Sequence, residues 1–479
     1  MSIKKGDEIE LLIEGFAFGG KGISKINNHG LDYVVFTQNA ITGQRVKVKI
    51  VKKKKSFAEA RILELLEPSS LQNTTPFQAI SGAPYISLSI ETQHQFKQST
   101  TLDLFERIGE IEAPSSFFDA FIASPASHHY RNKMEYSFSS IRHDIHNNEE
   151  FDDDFALGFK HSGTWWKVEN LDKSSGMFDA EFEDNLKNIR HFLHQTGLEA
   201  WHPPQKKGFF RHLVVRKSFC NNQLLINLVT SSEHLDRFNS QEFSEFLVGL
   251  FGKRLAGCIH TVNTDVADRA KLENGSSKLI LGNATINENI LGLNFEISMQ
   301  SFFQTNPASA ERLYQKVIDY VSEDQTLSNG VVMDLFCGTG TIGQLIAKNI
   351  ENTSVIGVDI IESAIENAKK NALVNQIKNI QFFSQDVGKF LAKNPEFENK
   401  INTIVLDPPR AGIAPKSLKK VIQLKANRII YVSCNPATQA RDAKTLRENG
   451  YELIKFSLVD QFPHTSHIES IMLFKRNRN

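Results

Sequence analysis

From residue 307 onward the chain alternates strand-like and helix-like segments with a regularity that few folds accommodate. Ala308 to Ser322 reads as a helix and Val331 to Phe336 as a strand. Cys337-Gly338-Thr339-Gly340-Thr341 is a Gly-rich turn leading into a helix at Ile342 to Lys348. Strand Ser354 to Val358, helix Glu362 to Asn375 and strand Gln381 to Phe383 follow. Apolar runs Thr403 to Leu406 and Arg428 to Val432 continue the pattern, and Glu452 to Val459 and Ile468 to Phe474 close it. This alternation predicts an α/β domain with a mostly parallel, doubly wound sheet. Ligands of such sheets sit beyond the carboxyl ends of the strands. The residues found there are the Gly-rich turn, Asp359, Asp386, Asp407-Pro408-Pro409-Arg410 and Ser433-Cys434-Asn435-Pro436.

The remainder is organised differently. At 479 residues the length suggests about three domains. Residues 1–67 carry short, partly alternating strands punctuated by Gly15, Gly19-Gly20, Gly22 and Asn27-Asn28, which predicts a five-stranded OB-like barrel. Lys52 to Lys55 fall on a hairpin tip, either as a solvated loop or as phosphate contacts. Residues 68–300 are expected to form a middle α/β domain, opening with the Ser/Thr/Pro-rich connector Pro68 to Pro84. A helix over about 93–111, striped with Phe96, Leu102, Leu104, Phe105 and Ile108, is free to pack on the last domain, 301–479. The middle domain also holds Tyr130-Arg131-Asn132-Lys133, Trp165-Trp166 and Arg211 to Lys217. Basic and aromatic residues interleaved in this way suit RNA contacts or ordinary surface and core positions equally. Lys+Arg and Asp+Glu balance at 55 each, so net charge neither requires nor excludes a nucleic acid.

The start of the chain lacks the apolar core of a signal peptide, and no apolar run is long enough to cross a bilayer. A cytoplasmic monomer is expected. Cys220, Cys258, Cys337 and Cys434 are far apart, which suggests neither a disulfide framework nor a metal site.

The strand-end residues specify a cofactor and a reaction. Glycines after the first strand let the backbone approach a ligand closely, and Asp359, 19 residues beyond Gly340, can bind ribose hydroxyls. Asp386 can accept from an adenine amino group. Dinucleotide enzymes share the Gly-x-Gly, but its combination with a third-strand acid and a fourth-strand Asp-Pro-Pro favours S-adenosylmethionine. Arg410 stands where amino-methylating enzymes of the Asp/Asn-Pro-Pro type place a stacking aromatic. Cys434 points elsewhere. It precedes Pro436 and a helix start, whose partial positive charge favours a thiolate. Carbon 5 of uracil is too weak a nucleophile to attack a sulfonium unless a thiolate first adds at carbon 6. A base must afterwards remove the carbon-5 proton. Glu469, entering the apolar run Ser470 to Phe474, is the base expected, with its pKa raised by poor solvation. His464 and His467 are its rivals.

Taken together, these motifs and Ser301-Phe302-Phe303-Gln304-Thr305-Asn306 resemble the RNA uracil-carbon-5 methyltransferase family almost end to end. Residues 1–67 resemble its TRAM domain, which favours the branch acting on 23S ribosomal RNA over the transfer-RNA branch. The resemblance implies methyl-donor contacts by Gln304, Phe336, Thr341, Asp359, Asp386 and Asp407, with Cys434 as nucleophile and Glu469 as base. The family usually has glutamate where Asp359 stands, so a longer or water-mediated ribose contact is implied. Many members bind an iron–sulfur cluster through four cysteines, three of them in the segment matching Thr74 to Pro84. Here Ile80 and Ala83 occupy two of those places and no cysteine precedes Cys220, so no cluster is expected. The rival of another class is an RNA-binding assembly factor with vestigial catalysis.

Overall fold

Alternating apolar residues build the first sheet. In the computed structural model, which describes residues 3–28, 31–144, 147, 149–265, 275–323 and 330–477, six strands form it. They are β1 (Glu8–Leu12), β2 (Gly15–Ala17), β3 (Lys21–Asn28), β4 (Leu31–Gln38), β5 (Arg45–Lys53) and β6 (Phe57–Glu67), in the order β1-β5-β6-β4-β3-β2. On β5, Val46, Val48 and Ile50 point inward and join Val35 and Ala58 in the core, while Arg45, Lys47 and Lys49 point outward. Six strands stand where five were expected, and Gly15, Gly22 and Asn27, read from the sequence as turn positions, lie within β2 and β3.

The chain divides into two compact units. One comprises Met1–Thr74, Tyr85–Pro125 and Ala308–Asn479, and the other Thr75–Pro84 and Ala126–Pro307. Residues 85–125, which sequence grouping placed in the middle domain, therefore lie in the unit that contains the doubly wound sheet. They supply helix α1 (Ile90–Arg107), capped by Ser89 Oγ accepting from the Thr92 amide, and strand β7 (Phe118–Ile122). The buried stripe of α1 is Gln93, Lys97, Thr101 and Phe105, whereas Ile108 is exposed. Phe105 meets Phe456 edge-on in the core of the doubly wound sheet.

The second unit is built on a nine-stranded sheet. Its strands are β8 (Lys133–Ser139), β9 (Arg142–Asp144), β10 (Glu149–Phe151), β11 (Ala156–Lys160), β12 (Val168–Asn170), β13 (Phe210–Lys217), β14 (Leu224–Thr230), β15 (Leu255–Asn263) and β16 (Gly275–Gly282). They are ordered β10-β9-β12-β11-β8-β13-β14-β15-β16. Helices α2 (Ala180–Asp184), α3 (Leu186–Gln195) and α4 (Ser240–Phe251) accompany it, and β17 (Thr285–Ile290) and β18 (Leu293–Ser298) form a hairpin. Most of the basic and aromatic clusters read from sequence are structural. Arg211 is buried with its guanidinium over Trp201, and buried Arg216 donates to the Met299 and Ser301 carbonyls. Trp165 remains exposed.

The doubly wound sheet follows α5 (Pro307–Ser322). Its elements are β19 (Val331–Leu335), α6 (Thr341–Asn349), β20 (Ser354–Asp359), α7 (Glu362–Val374), β21 (Ile380–Ser384), α8 (Val387–Lys393), β22 (Thr403–Leu406), α9 (Pro415–Gln423), β23 (Arg428–Ser433), α10 (Pro436–Glu448), β24 (Tyr451–Val459) and β25 (Glu469–Arg476). The order is β21-β20-β19-β22-β23-β25-β24-β7, parallel from β21 to β23, with β25 antiparallel to both neighbours. Strand β7, which the sequence did not reveal, closes the edge in parallel with β24. No helix among the described residues is long and apolar enough to cross a membrane.

Candidate active site

Strand order reverses between β19 and β22, and the crevice at that switch point is where a doubly wound sheet can receive a nucleotide. After β19 the chain turns through Phe336, whose φ is +65°, and through Gly338 and Gly340, at +53° and +72°. At Gly340 a Cβ would lie 2.5 Å from the Phe382 ring, so packing as well as conformation requires glycine. The space above Gly338 is open, which leaves the backbone accessible to a ligand. Asp359 braces this turn: its carboxylate accepts from the Gly338 and Ile361 amides, each at 2.9 Å. Asp386 caps α8, with Oδ1 accepting from the Lys389 amide. Thr341 is buried at the start of α6.

Asp334 is fully buried; one oxygen accepts from the Gly343 amide and the other has no partner. Burial and the nearby Asp407 raise its pKa to about 7, and desolvation raises that of Asp407 to about 7 as well. These carboxyls, the open Gly turn and the exposed apolar Ile360 and Ile361 fit a cationic nucleoside such as S-adenosylmethionine. Gln304 belongs to the other compact unit. There Asn132 Nδ2 donates to its carbonyl at 3.0 Å, and the Asn132 amide donates to the Thr305 carbonyl.

The antiparallel strand brings the two residues expected to act as nucleophile and base to adjoining strand ends. Cys434 follows the carboxyl end of β23, while Glu469 opens β25; Ser433 pairs with Ser470, so the two side chains belong to adjoining strand ends. Asn435 ties this end to the Asp-Pro-Pro-Arg loop. Its Nδ2 donates to the Arg410 carbonyl at 2.9 Å, and its Oδ1 accepts from the Ala437 amide to cap α10. Buried Glu469 has its pKa raised to about 8, first by desolvation and then by Asp407, against the pull of Arg410.

Cys434 corrects the sequence expectation of a favoured thiolate. Desolvation, Glu469 and Asp407 raise its pKa to about 11, outweighing the hydrogen bond and charge of Arg410. Burial is the largest cause, and the two neighbouring carboxyls add to it.

Sequence reading missed what holds the segment before Glu469. The loop 460–468 before Glu469 is clamped by α1. Lys97 Nζ lies 2.6 Å from Asp460 Oδ1 and also donates to the Phe462 carbonyl, and His94 reaches Asp460 at 3.1 Å. Gln93 accepts from the His464 amide and pairs with His464 Nδ1, in a residue held at φ +64°. His464 is thus engaged with α1, and His467 is exposed. The signal was polar residues at i and i+4 on the face of α1 that should have been apolar. Lys97→Met would leave Asp460 buried without its ammonium, and a loss of about 3–5 kcal/mol is expected. Denaturant unfolding of the variant beside wild type measures it.

Comparisons with known proteins identify the family. Residues 276–477 match the family described as tRNA (Uracil-5-)-methyltransferase, and residues 3–63 match the TRAM domain. An RNA methyltransferase of Clostridium acetobutylicum is 35% identical over 480 residues, covering 99% of both chains. One of Caldanaerobacter subterraneus is 34% identical over 99% of this chain and 100% of its own. The chain belongs to the RNA uracil-5-methyltransferase family. Among solved structures, the tRNA (uracil-54, C5)-methyltransferase of Pyrococcus abyssi, in complex with S-adenosyl-L-homocysteine, shares the fold. Its TM-score is 0.69, with 24% identity, over 97% of this chain and 100% of that one. The RNA methyltransferase family thus accounts for both the barrel-like first sheet and the doubly wound catalytic sheet.

Proposed function

We propose that this RNA methyltransferase uses S-adenosylmethionine to methylate carbon 5 of a uridine in 23S ribosomal RNA. The observation that carries the mechanism is the placement of Cys434 and Glu469 on adjoining ends of β23 and β25. Phe336, Thr341, Asp359, Asp386 and Asp407 would hold the methyl donor. The donor supplies an electrophilic methyl group and a positive charge. Held near these carboxyls, that charge would favour the ionised forms of Asp334, Asp407 and Glu469.

The uridine must leave its stack to expose both faces. Cys434 Sγ then bonds to carbon 6, and the electrons of the 5,6 double bond move onto the O4 enolate. Carbon 5 would then take the methyl group, the methyl–sulfur bond of the sulfonium breaking with its electron pair kept by sulfur, so that a neutral thioether leaves. Glu469 removes the carbon-5 proton, the double bond re-forms, and the carbon–sulfur bond breaks to return the thiolate. Residues 1–67 and the second unit, Thr75–Pro84 with Ala126–Pro307, would hold the RNA, and the doubly wound sheet would carry out the chemistry.

Ribosomal RNA is preferred because the first sheet resembles the TRAM domain of that branch. Transfer RNA is the second reading, favoured by one observation: the Pyrococcus abyssi tRNA enzyme aligns over 97% of this chain, so a barrel of this kind is compatible with a tRNA substrate. Offering unmodified 23S rRNA and unmodified tRNA separately to the purified protein, with radiolabelled donor, tests the choice. Label in 23S rRNA alone supports the first reading, and label in tRNA alone overturns it.

Within Lys52 to Lys55 the contribution to RNA binding is uneven. Lys52 pairs with Glu59 at 3.3 Å and Lys53 donates to the Ile3 carbonyl, whereas Lys54 and Lys55 are exposed. Replacing Lys54 and Lys55 by serine should lower the salt dependence of RNA affinity by about one to two units of log–log slope. Filter binding across a salt series checks this, and an unchanged slope assigns the tip to a solvated loop.

A further inference from the structure

Outside the active site, one group of metal-ligating side chains converges among the described residues: His143, His161 and Glu169, whose ligand atoms all lie within 4.8 Å of one another. Three neighbouring strands bring them together. β9 and β12 run parallel with Arg142 beside Val168, so the next residues, His143 and Glu169, share a face. β11 pairs antiparallel with β12, Phe159 opposite Glu169, and His161 lies two residues beyond Phe159 on that same face. On the far side β10 sets Glu150 opposite His143.

The distances suit a small cation. His161 Nδ1 lies 2.5 Å from Glu169 Oε1, and His143 Nε2 lies 4.0 Å from the same oxygen. Tetrahedral coordination with bonds of about 2.0–2.1 Å sets ligand atoms roughly 3.3–3.4 Å apart, between those two values. His143 and Glu169 are nearly buried and His161 is partly exposed, which fixes the ligands and leaves an approach from solvent. A cation already stands beside them: Lys167 Nζ lies 3.4 Å from both His143 Nδ1 and Glu150 Oε2.

We infer that His143, His161 and Glu169 form a binding site for a divalent transition-metal ion of the zinc class, with its fourth position open to water or Glu150. Two imidazoles and one carboxylate select zinc-like ions over magnesium or calcium, which prefer all-oxygen shells. Binding displaces the proton held between His161 and Glu169. It also shifts the His143 proton to Nδ1, so Lys167 turns from His143 to its Glu150 partner. The ion would cross-link β9, β12 and the β11–β12 connection that carries Trp165 and Trp166. The spacing of residues 143, 161 and 169 matches no linear metal motif, so only the sheet register exposes the site.

The test is calorimetric titration of the full-length, chelator-stripped protein with zinc chloride, with thermal unfolding followed in parallel. One zinc per chain, reversed by chelator and accompanied by a raised melting temperature, is expected. His161→Ala and Glu169→Gln should each weaken binding by at least about tenfold, and Lys167→Met should tighten it by removing the competing ammonium. Absence of a one-to-one site, or an isotherm unchanged in both His161→Ala and Glu169→Gln, overturns the inference, the second result assigning the zinc to Cys434 or to other histidines.

Discussion

Cys434→Ala is expected to lower methyl transfer by at least about four orders of magnitude, the scale on which removal of a covalent nucleophile acts. RNA affinity should stay near the wild-type value. In the proposed mechanism the thiol makes carbon 5 reactive, and the other three cysteines are placed differently: Cys258 is buried in the other unit, Cys220 is exposed there, and Cys337 is packed beneath the Gly turn with its pKa raised by burial. The substitution removes one partly buried sulfur and leaves the Asn435 bonds to Arg410 and Ala437 in place, so folding should be preserved. Single-turnover transfer of labelled methyl to RNA, with binding measured on the same preparation, checks both halves. Turnover within about tenfold of wild type would contradict a covalent route. A Cys434→Ala strain that matches wild type in every RNA-processing phenotype would favour the assembly-factor reading.

Glu469→Gln should separate the steps that Cys434→Ala abolishes together. The amide is isosteric and cannot take a proton, so addition and methyl transfer proceed and elimination stalls. An RNA adduct on Cys434 should then accumulate and survive denaturing electrophoresis. It should need the methyl donor for its long life, because before methylation the thiol can reverse its own addition. pH gives a second readout. Glu469 has its pKa raised to about 8, so the charged, proton-accepting form is a minority near neutrality and grows as pH rises. Adduct breakdown in the wild type should therefore speed up from pH 6 towards 8, and bound donor, being cationic, should shift that rise to lower pH. The glutamine variant should lack the rise. Normal turnover, or inactivity without adduct despite binding of both substrates, would assign the base elsewhere, with exposed His467 the next residue to replace.

The catalytic sheet was legible because each parallel strand is a buried apolar run closed by its functional residue, so Asp359, Asp407 and Cys434 announce their own positions. The pairing of Cys434 with Glu469 needed the structure, since nothing local in Glu469 to Arg476 distinguishes an antiparallel strand from another parallel one. Strand β7 was hidden for a different reason. Phe118 to Ile122 is five residues long and pairs with a strand more than three hundred positions away, so no periodicity announces it. Helix α1 misled because its buried face carries Gln93 and Lys97, polar side chains whose partners lie in the 460–464 loop. The pKa of Cys434 was misjudged on the same grounds: a helix start is visible in sequence, whereas the burial of the sulfur and the neighbouring carboxyls of Glu469 and Asp407 arise only in the fold.

Nucleoside analysis tests the central claim most directly. Unmodified 23S rRNA and tRNA are incubated with purified protein and S-adenosylmethionine bearing a deuterated methyl group, digested to nucleosides and weighed by mass spectrometry. The structure predicts a trideuterated methyl on carbon 5 of uridine, formed by wild type and absent with Cys434→Ala. Label on a ribose hydroxyl, on another base, or on uridine in the Cys434→Ala reaction would contradict it.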